Sequence, residues 1–178
     1  LFAYGKPGEH KWIMVDIGVT FADDTLPGID LIYPDPGFIV DKKEDLLGII
    51  LTHAHEDHIG AIAHLWPQLK CKIFATPFTA VLIKEKLKEK NIDVTKYLKI
   101  VQLNGTVNLD PFKIEYITLT HSILEPNGLR IETPAGVILH TGDWKIDPEP
   151  LIGEKINSDR LKEIGKEGVL AMICDSTN

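Results

Sequence analysis

The chain has 178 residues, 44% of them apolar and 25% charged, enough for one domain with a full hydrophobic core and too few for two of ordinary size. It contains no run of about 18 apolar residues, which excludes a membrane-spanning helix. With 19 basic against 26 acidic side chains the net charge is −7, the wrong sign for holding a polyanion by electrostatics alone, so attraction to a nucleic acid must come from bound cations or from protein outside this sequence.

The opening Leu1-Phe2-Ala3-Tyr4 lacks the basic flank and long apolar stretch of a signal peptide and reads as a cut end. Apolar runs then alternate with amphipathic stretches, the pattern of an α/β layered fold. A strand is predicted over residues 11–17, followed by a long surface loop over 21–38, where Gly, Pro and Asp are frequent. A buried strand over 46–51 leads into a helix over 59–69, whose apolar residues recur at three- and four-residue spacing. A strand over 72–75 and a helix over 77–90 come next, with Pro77 suited to the first helical turn. Strands follow over 98–103, 112–119, 129–133 and 137–141, and Pro134-Ala135-Gly136 marks a hairpin between the last two. A helix over 158–166, with Ser158 suited to cap it, precedes a final strand over 169–174. Eight strands are enough for two sheets. Cys71 and Cys174 sit in or beside apolar runs without framework spacing, so both read as reduced, buried thiols of a cytoplasmic protein.

The chemistry concentrates where the strand over 46–51 ends. His53-Ala54-His55-Glu56-Asp57-His58 follows that apolar run directly, and α/β folds keep their sites at the carboxyl ends of strands. His53 and His55 are two residues apart, so at an extended strand end their rings can face one cation. Asp57 and His58 lie on the tightening turn and can face a second. Imidazoles and carboxylates suit zinc and also manganese. Asp57 also lies near a helix N-terminus, where negative charge is favoured in any case. His121 ends the strand over 112–119 and is a weaker ligand candidate. Asp143 follows Gly142 at the end of another strand, where Thr-Gly-Asp is either a ligand position or an ordinary turn. His64 reads as a packing or surface histidine, His140 as a satisfied structural one, and Asp175 at a strand end as no more than the start of a turn.

His53-Ala54-His55-Glu56-Asp57-His58 resembles the H-x-H-x-D-H signature of the metallo-β-lactamase superfamily. Thr120-His121-Ser122-Ile123 is similar to its third motif, and His140-Thr141-Gly142-Asp143 to its fourth. Cys174-Asp175-Ser176-Thr177-Asn178 resembles the acidic motif that opens the β-CASP subgroup of nucleic-acid-processing members. With Pro27-Gly28-Ile29-Asp30, the likeness extends over the whole chain and is greatest to the bacterial ribonuclease J family. One position departs from the commoner pattern: Leu124 stands where a proline is usual, and Pro126 follows two residues later.

This resemblance implies an αββα sandwich, incomplete at both ends: residues 1–178 would be the first part of a metallo-β-lactamase domain, with the β-CASP domain and the remaining catalytic part outside the sequence. It implies that His53, His55 and His121 hold one divalent metal, that Asp57 and His58 hold a second, and that Asp143 is shared. Zinc is the first choice, with manganese or magnesium as alternatives. The catalytic set would be Asp57, Asp143 and Asp175, the last acting by hydrogen bonding. One further histidine ligand of the second metal would lie beyond Asn178, so the isolated chain is expected to bind metal weakly or at one site and to be inactive. The implied activity is hydrolysis of RNA phosphodiesters, internally or stepwise from the 5′ end, with RNA as partner, no membrane, and oligomerisation, if any, through parts outside this sequence. A thioester, lactone or β-lactam hydrolase uses the same ligands, and a non-catalytic scaffold of an RNA-degrading complex is the third reading.

Overall fold

The computed structural model describes residues 1–176, and its elements form four layers, helix, sheet, sheet, helix. The first sheet contains β1 (Phe2–Tyr4), β2 (Lys11–Val15), β5 (Leu46–Ile50), β6 (Ile73–Ala75) and β7 (Leu98–Ile100), in that spatial order. β1 pairs antiparallel with β2, while β2, β5, β6 and β7 are mutually parallel. Parallel neighbours need crossovers, and α3 (Ile62–Leu69) and α4 (Pro77–Glu89) provide two of them. The second sheet is an antiparallel meander of β8 (Thr106–Leu109), β9 (Phe112–Thr118), β10 (Asn127–Thr133) and β11 (Gly136–His140), closed by β12 (Ala171–Ile173), which runs parallel to β11.

Three apolar clusters correspond to the interfaces between layers. Ile13, Ile50 and Phe74 of the first sheet meet Ile114, Tyr116, Leu129 and Ile131 of the second, and the buried Tyr116 hydroxyl donates to the carbonyl of Phe74 at 3.1 Å. On the outer face of the first sheet, Ile49, Leu51 and Ile73 pack with Ile62, Leu65, Ile83 and Leu87 of α3 and α4. On the far side, Ile117 and Leu119 pack with Ile164 of α5 (Ser158–Glu167). The αββα expectation is met. Among the described residues no helix is long and apolar enough to cross a membrane.

All eight predicted strands are present: six are shortened by one to three residues at one or both ends, β10 starts two residues earlier, and β11 is shifted by one residue toward the N-terminus. The single helix predicted over 59–69 is instead two: α2 (Glu56–Ile59) and α3. The break has a local cause, because Ala61 donates to the carbonyl of Ile17 at 3.0 Å, tying the chain to the end of the β2 segment. A Cβ at Gly60 would come within 2.5 Å of Val19, so this close approach needs glycine. The loop over 21–38 contains a short hairpin, β3 (Thr20–Phe21) with β4 (Leu31–Ile32), and the start of α1 (Gly37–Val40). α5 is capped by Asn157, whose side chain accepts from the amide of Arg160 at 3.2 Å, rather than by Ser158. Cys71 is buried as expected; Cys174 is exposed, because β12 has no described layer over its outer side.

Candidate metal centre

Four chain segments that leave strands converge on one end of the sandwich. After β5, Leu51 and Thr52 continue the buried run to His53, which is 0% exposed. After β2 comes Asp16, after β9 comes His121, and after β11 comes Asp143. Convergence follows from the topology: β2 and β5 are parallel neighbours, and β9 and β11, both antiparallel to β10, run in a common direction, so each pair releases its ends on one side.

Ring nitrogens and carboxylate oxygens face one another across this end. Nε2 of His53 lies 3.1 Å from Nδ1 of His55, and Nε2 of His121 lies 3.2 Å from that same Nδ1. Nε2 of His58 is 3.2 Å from one oxygen of Asp143, and the other oxygen of Asp143 is 3.7 Å from Nε2 of His121. Two ligand sets result, His53 with His55 and His121, and His53 with His58 and Asp143, the ligand atoms of each within 4.8 Å of one another. Asp143 presents one oxygen toward each set, the geometry a shared carboxylate needs. Asp57 stands at the rim: its side chain is 65% exposed and its nearer oxygen is 3.6 Å from Nε2 of His58. This donor set fits divalent cations, because several imidazoles and a carboxylate converge within coordination reach of a common point.

Asp16 organises the centre and was not singled out from the sequence. Its carboxylate accepts from the amide of Thr52 at 2.8 Å and from the Thr52 hydroxyl at 2.7 Å, and lies 2.8 Å from Nδ1 of His58. With its proton donated to Asp16, the Thr52 hydroxyl oxygen accepts from Nδ1 of His53 at 3.0 Å. That chain leaves a lone pair on Nε2 of His53, facing the ligand cluster. A carboxylate behind a histidine in this way fixes the ring and makes it a better ligand. In the structure Asp16 follows β2 directly, as His53 closely follows β5, but a lone aspartate after a strand carries little signal in the sequence. Asp16 also has φ +59°, a conformation Asp tolerates better than most residues.

Electrostatics separate the histidines. Burial, and then the neighbouring His58, His55 and His121, push His53 down to about 2, so its ring is neutral. Burial opposes charge on His58, yet the hydrogen bond and charge of Asp16, followed by Asp143 and Asp57, raise it to about 9. Burial and His55 lower His121, against the pull of Asp143 and Asp175. Neutral imidazole is the metal-binding form, so His53 and His121 already have the form a cation would require at neutral pH, whereas His58 would first have to release a proton.

The remaining expected residues are also accounted for. The backbone amide of Asp175 donates to the Thr141 hydroxyl at 3.1 Å, near the Asp143 turn; Thr177 and Asn178 of the same motif lie outside the described residues. His64 stacks on Tyr33 at 5.3 Å, outside both ligand sets. His140 accepts at Nδ1 from the amide of Gly142 at 3.1 Å, shaping the turn that presents Asp143. The backbone around Asp57 is held by two strand-like bonds, Ile17 N to His58 O at 2.7 Å and Val19 N to Glu56 O at 3.0 Å.

Residues 4–163 match the sequence profile of the metallo-beta-lactamase superfamily. The chain belongs to this superfamily. Its curated relatives in the superfamily include ribonuclease J of Sinorhizobium meliloti, 46% identical over the whole chain and over 32% of that protein. Ribonuclease J of Helicobacter pylori strain 26695 is 40% identical over 93% of the chain and 24% of its own length. Ribonuclease J 1 of Streptococcus pyogenes is 38% identical over 98% of the chain and 31% of its own length. The chain thus spans about a third or less of the curated relatives it matches. Among solved structures, a metallo-beta-lactamase from Cronobacter sakazakii superposes with a TM-score of 0.56 at 19% identity, covering 84% of this chain and 60% of that one. The metallo-beta-lactamase fold protein YhfI from Bacillus subtilis gives 0.51 at 17% identity, covering 76% and 52%. These structures support the superfamily fold.

Proposed function

We propose that this chain is part of a metal-dependent ribonuclease that hydrolyses RNA phosphodiesters, acting internally, from the 5′ end, or both. The observation that carries the reading is the 46% identity to a ribonuclease J along the entire chain, joined to a ligand cluster with two sets of donors. In this reading residues 1–178 contribute the first part of the catalytic domain, and a β-CASP part and the last ligand come from elsewhere in the whole protein.

In this reading His53, His55 and His121 would hold one cation, His58 and Asp57 would hold the other, and Asp143 would be shared. When bound, a pair of divalent cations would lower the pKa of a water to give hydroxide at neutral pH and would offset charge on the phosphoryl oxygens. Asp16 keeps His58 oriented through Nδ1. Asp57, exposed at the rim, is the carboxylate best situated to take a proton from the attacking water and pass it to solvent. Asp175 steadies the turn that carries Asp143 through Thr141. Four imidazoles among the donors favour zinc over magnesium, with manganese intermediate. The RNA partner, a cytoplasmic location and any homo-oligomer belong to the same reading.

The test is product analysis on the whole protein. A 5′-monophosphorylated RNA should be degraded, the activity should vanish with a chelator, and zinc or manganese should restore it. Hydrolysis of a thioester or lactone with the RNA left intact would overturn the proposal in favour of another hydrolase. Two bound metals with no turnover would favour a scaffold.

A further inference from the structure

Helix α4 carries no ligand, yet it is fastened to both loops that do. On one side, Lys86 donates from Nζ to both carboxylate oxygens of Glu56, at 2.8 and 2.9 Å. Glu56 lies between His55 and Asp57, and its carboxylate is engaged by this lysine rather than by the ligand cluster. On the other side, the amide of Phe78, in the first turn of α4, donates to the carboxylate of Glu125 at 2.8 Å. Glu125 is on the loop that follows His121.

The second tie replaces a local one. Thr76 is at the N-cap of α4 but makes no capping bond; its hydroxyl lies 3.4 Å from that of Thr79. The orphan amide of the first turn is instead satisfied by a residue 47 positions away. Glu125 takes this position with φ +54°, a region disfavoured for residues with a side chain. Its carbonyl accepts from the Asn127 side-chain amide at 2.7 Å, and the same amide donates to the carbonyl of Thr52, next to His53, at 3.0 Å. The helix itself is anchored by Thr79, Ala80, Ile83 and Leu87, all buried.

We propose that α4 is a clamp that sets the spacing between the His53–His58 loop and the His121 loop, with Lys86, Glu56 and Glu125 as positioning residues for the metal held by His53, His55 and His121. The inference rests on that metal reading. Its physical basis is that His55 and His121 come from different loops, so the 3.2 Å approach of their nitrogens depends on what fixes one loop against the other. Small displacements of ligands that are otherwise intact weaken metal binding.

The experiment is a titration of metal-stripped protein with Co²⁺, read by its visible absorption, beside thermal melting of each variant without metal. Glu125→Gly removes the carboxylate while relieving the backbone at φ +54°, and Lys86→Met removes the other tie. Each should weaken the Co²⁺ dissociation constant by about 10-fold, whereas Glu125→Gln and Lys86→Arg, which keep an acceptor and a donor, should bind like the unaltered protein. Unchanged Co²⁺ affinity and absorption in Glu125→Gly and Lys86→Met would overturn the clamp, even if their melting temperatures fell. If Glu125→Gly fails to fold, Lys86→Met decides, since that side chain is only partly buried and Met retains its apolar length. Absence of Co²⁺ uptake by the unaltered protein would instead overturn the metal reading, and the clamp with it.

Discussion

Asp16 governs two histidines through one carboxylate, reaching His58 directly and His53 through the Thr52 hydroxyl. Asp16→Asn keeps an acceptor and tolerates the positive φ but loses the charge. Zinc affinity should fall by about 10-fold, measured by competition with a chromogenic chelator. The two histidines also set opposite pH limits on the metal-free protein. His53 titrates near 2 in the fold against 6.5 unfolded, so its contribution to stability is lost as pH falls below 6.5. His58 titrates near 9 in the fold, so its contribution is full below 6.5 and lost as pH rises through 9. Each limb has a slope of at most about 1.4 kcal/mol per pH unit. Urea unfolding at a series of pH values should show the alkaline decline flattened in His58→Gln and the acid decline flattened in His53→Gln. The proposed ligands stood out because histidines clustered at the end of an apolar strand have few other uses. Asp16 was not, because a single aspartate after a strand looks like any turn, and its role depends on contacts 36 and 42 residues away.

Strand ends and the short helix α2 hold these side chains in position, and the backbone of residues 17–19 lies directly against that of residues 56–58. A Cβ at Gly18 would fall 1.6 Å from the carbonyl oxygen of Asp57. Gly18→Ala should therefore separate the 17–19 segment from the metal loop, costing about 3 kcal/mol of stability and weakening metal binding together; a melting curve and a zinc titration on one sample check both. Element type was readable wherever an apolar period ran long enough, as in β5, β9 and α4. The split between α2 and α3 was hidden, since Gly60 interrupts nothing in the apolar pattern and the break is made by a bond to Ile17. β8 and the β3–β4 hairpin were hidden for a different reason: they are short, and their pairing partners rather than their own residues define them.

At the scale of the whole molecule, two sheets packed face to face bring four loops from distant parts of the sequence to one end, so the ligand set forms only when both sheets are folded and aligned. That assembly explains why His121 and Asp143 are ambiguous as isolated residues and are brought together in three dimensions: each lies within 4 Å of a histidine from another segment. It also makes the first set, His53 with His55 and His121, the better preorganised, since burial keeps His53 neutral while His58 in the second set retains a proton. The most direct test is therefore the metal stoichiometry of the 178-residue chain after stripping and reloading with zinc, by elemental analysis and calorimetry. One tightly held equivalent, lost in the double variant His53→Gln/His121→Gln, is the predicted result. No retained zinc, or zinc retained undiminished by the double variant, would contradict the assignment of this cluster as the metal centre.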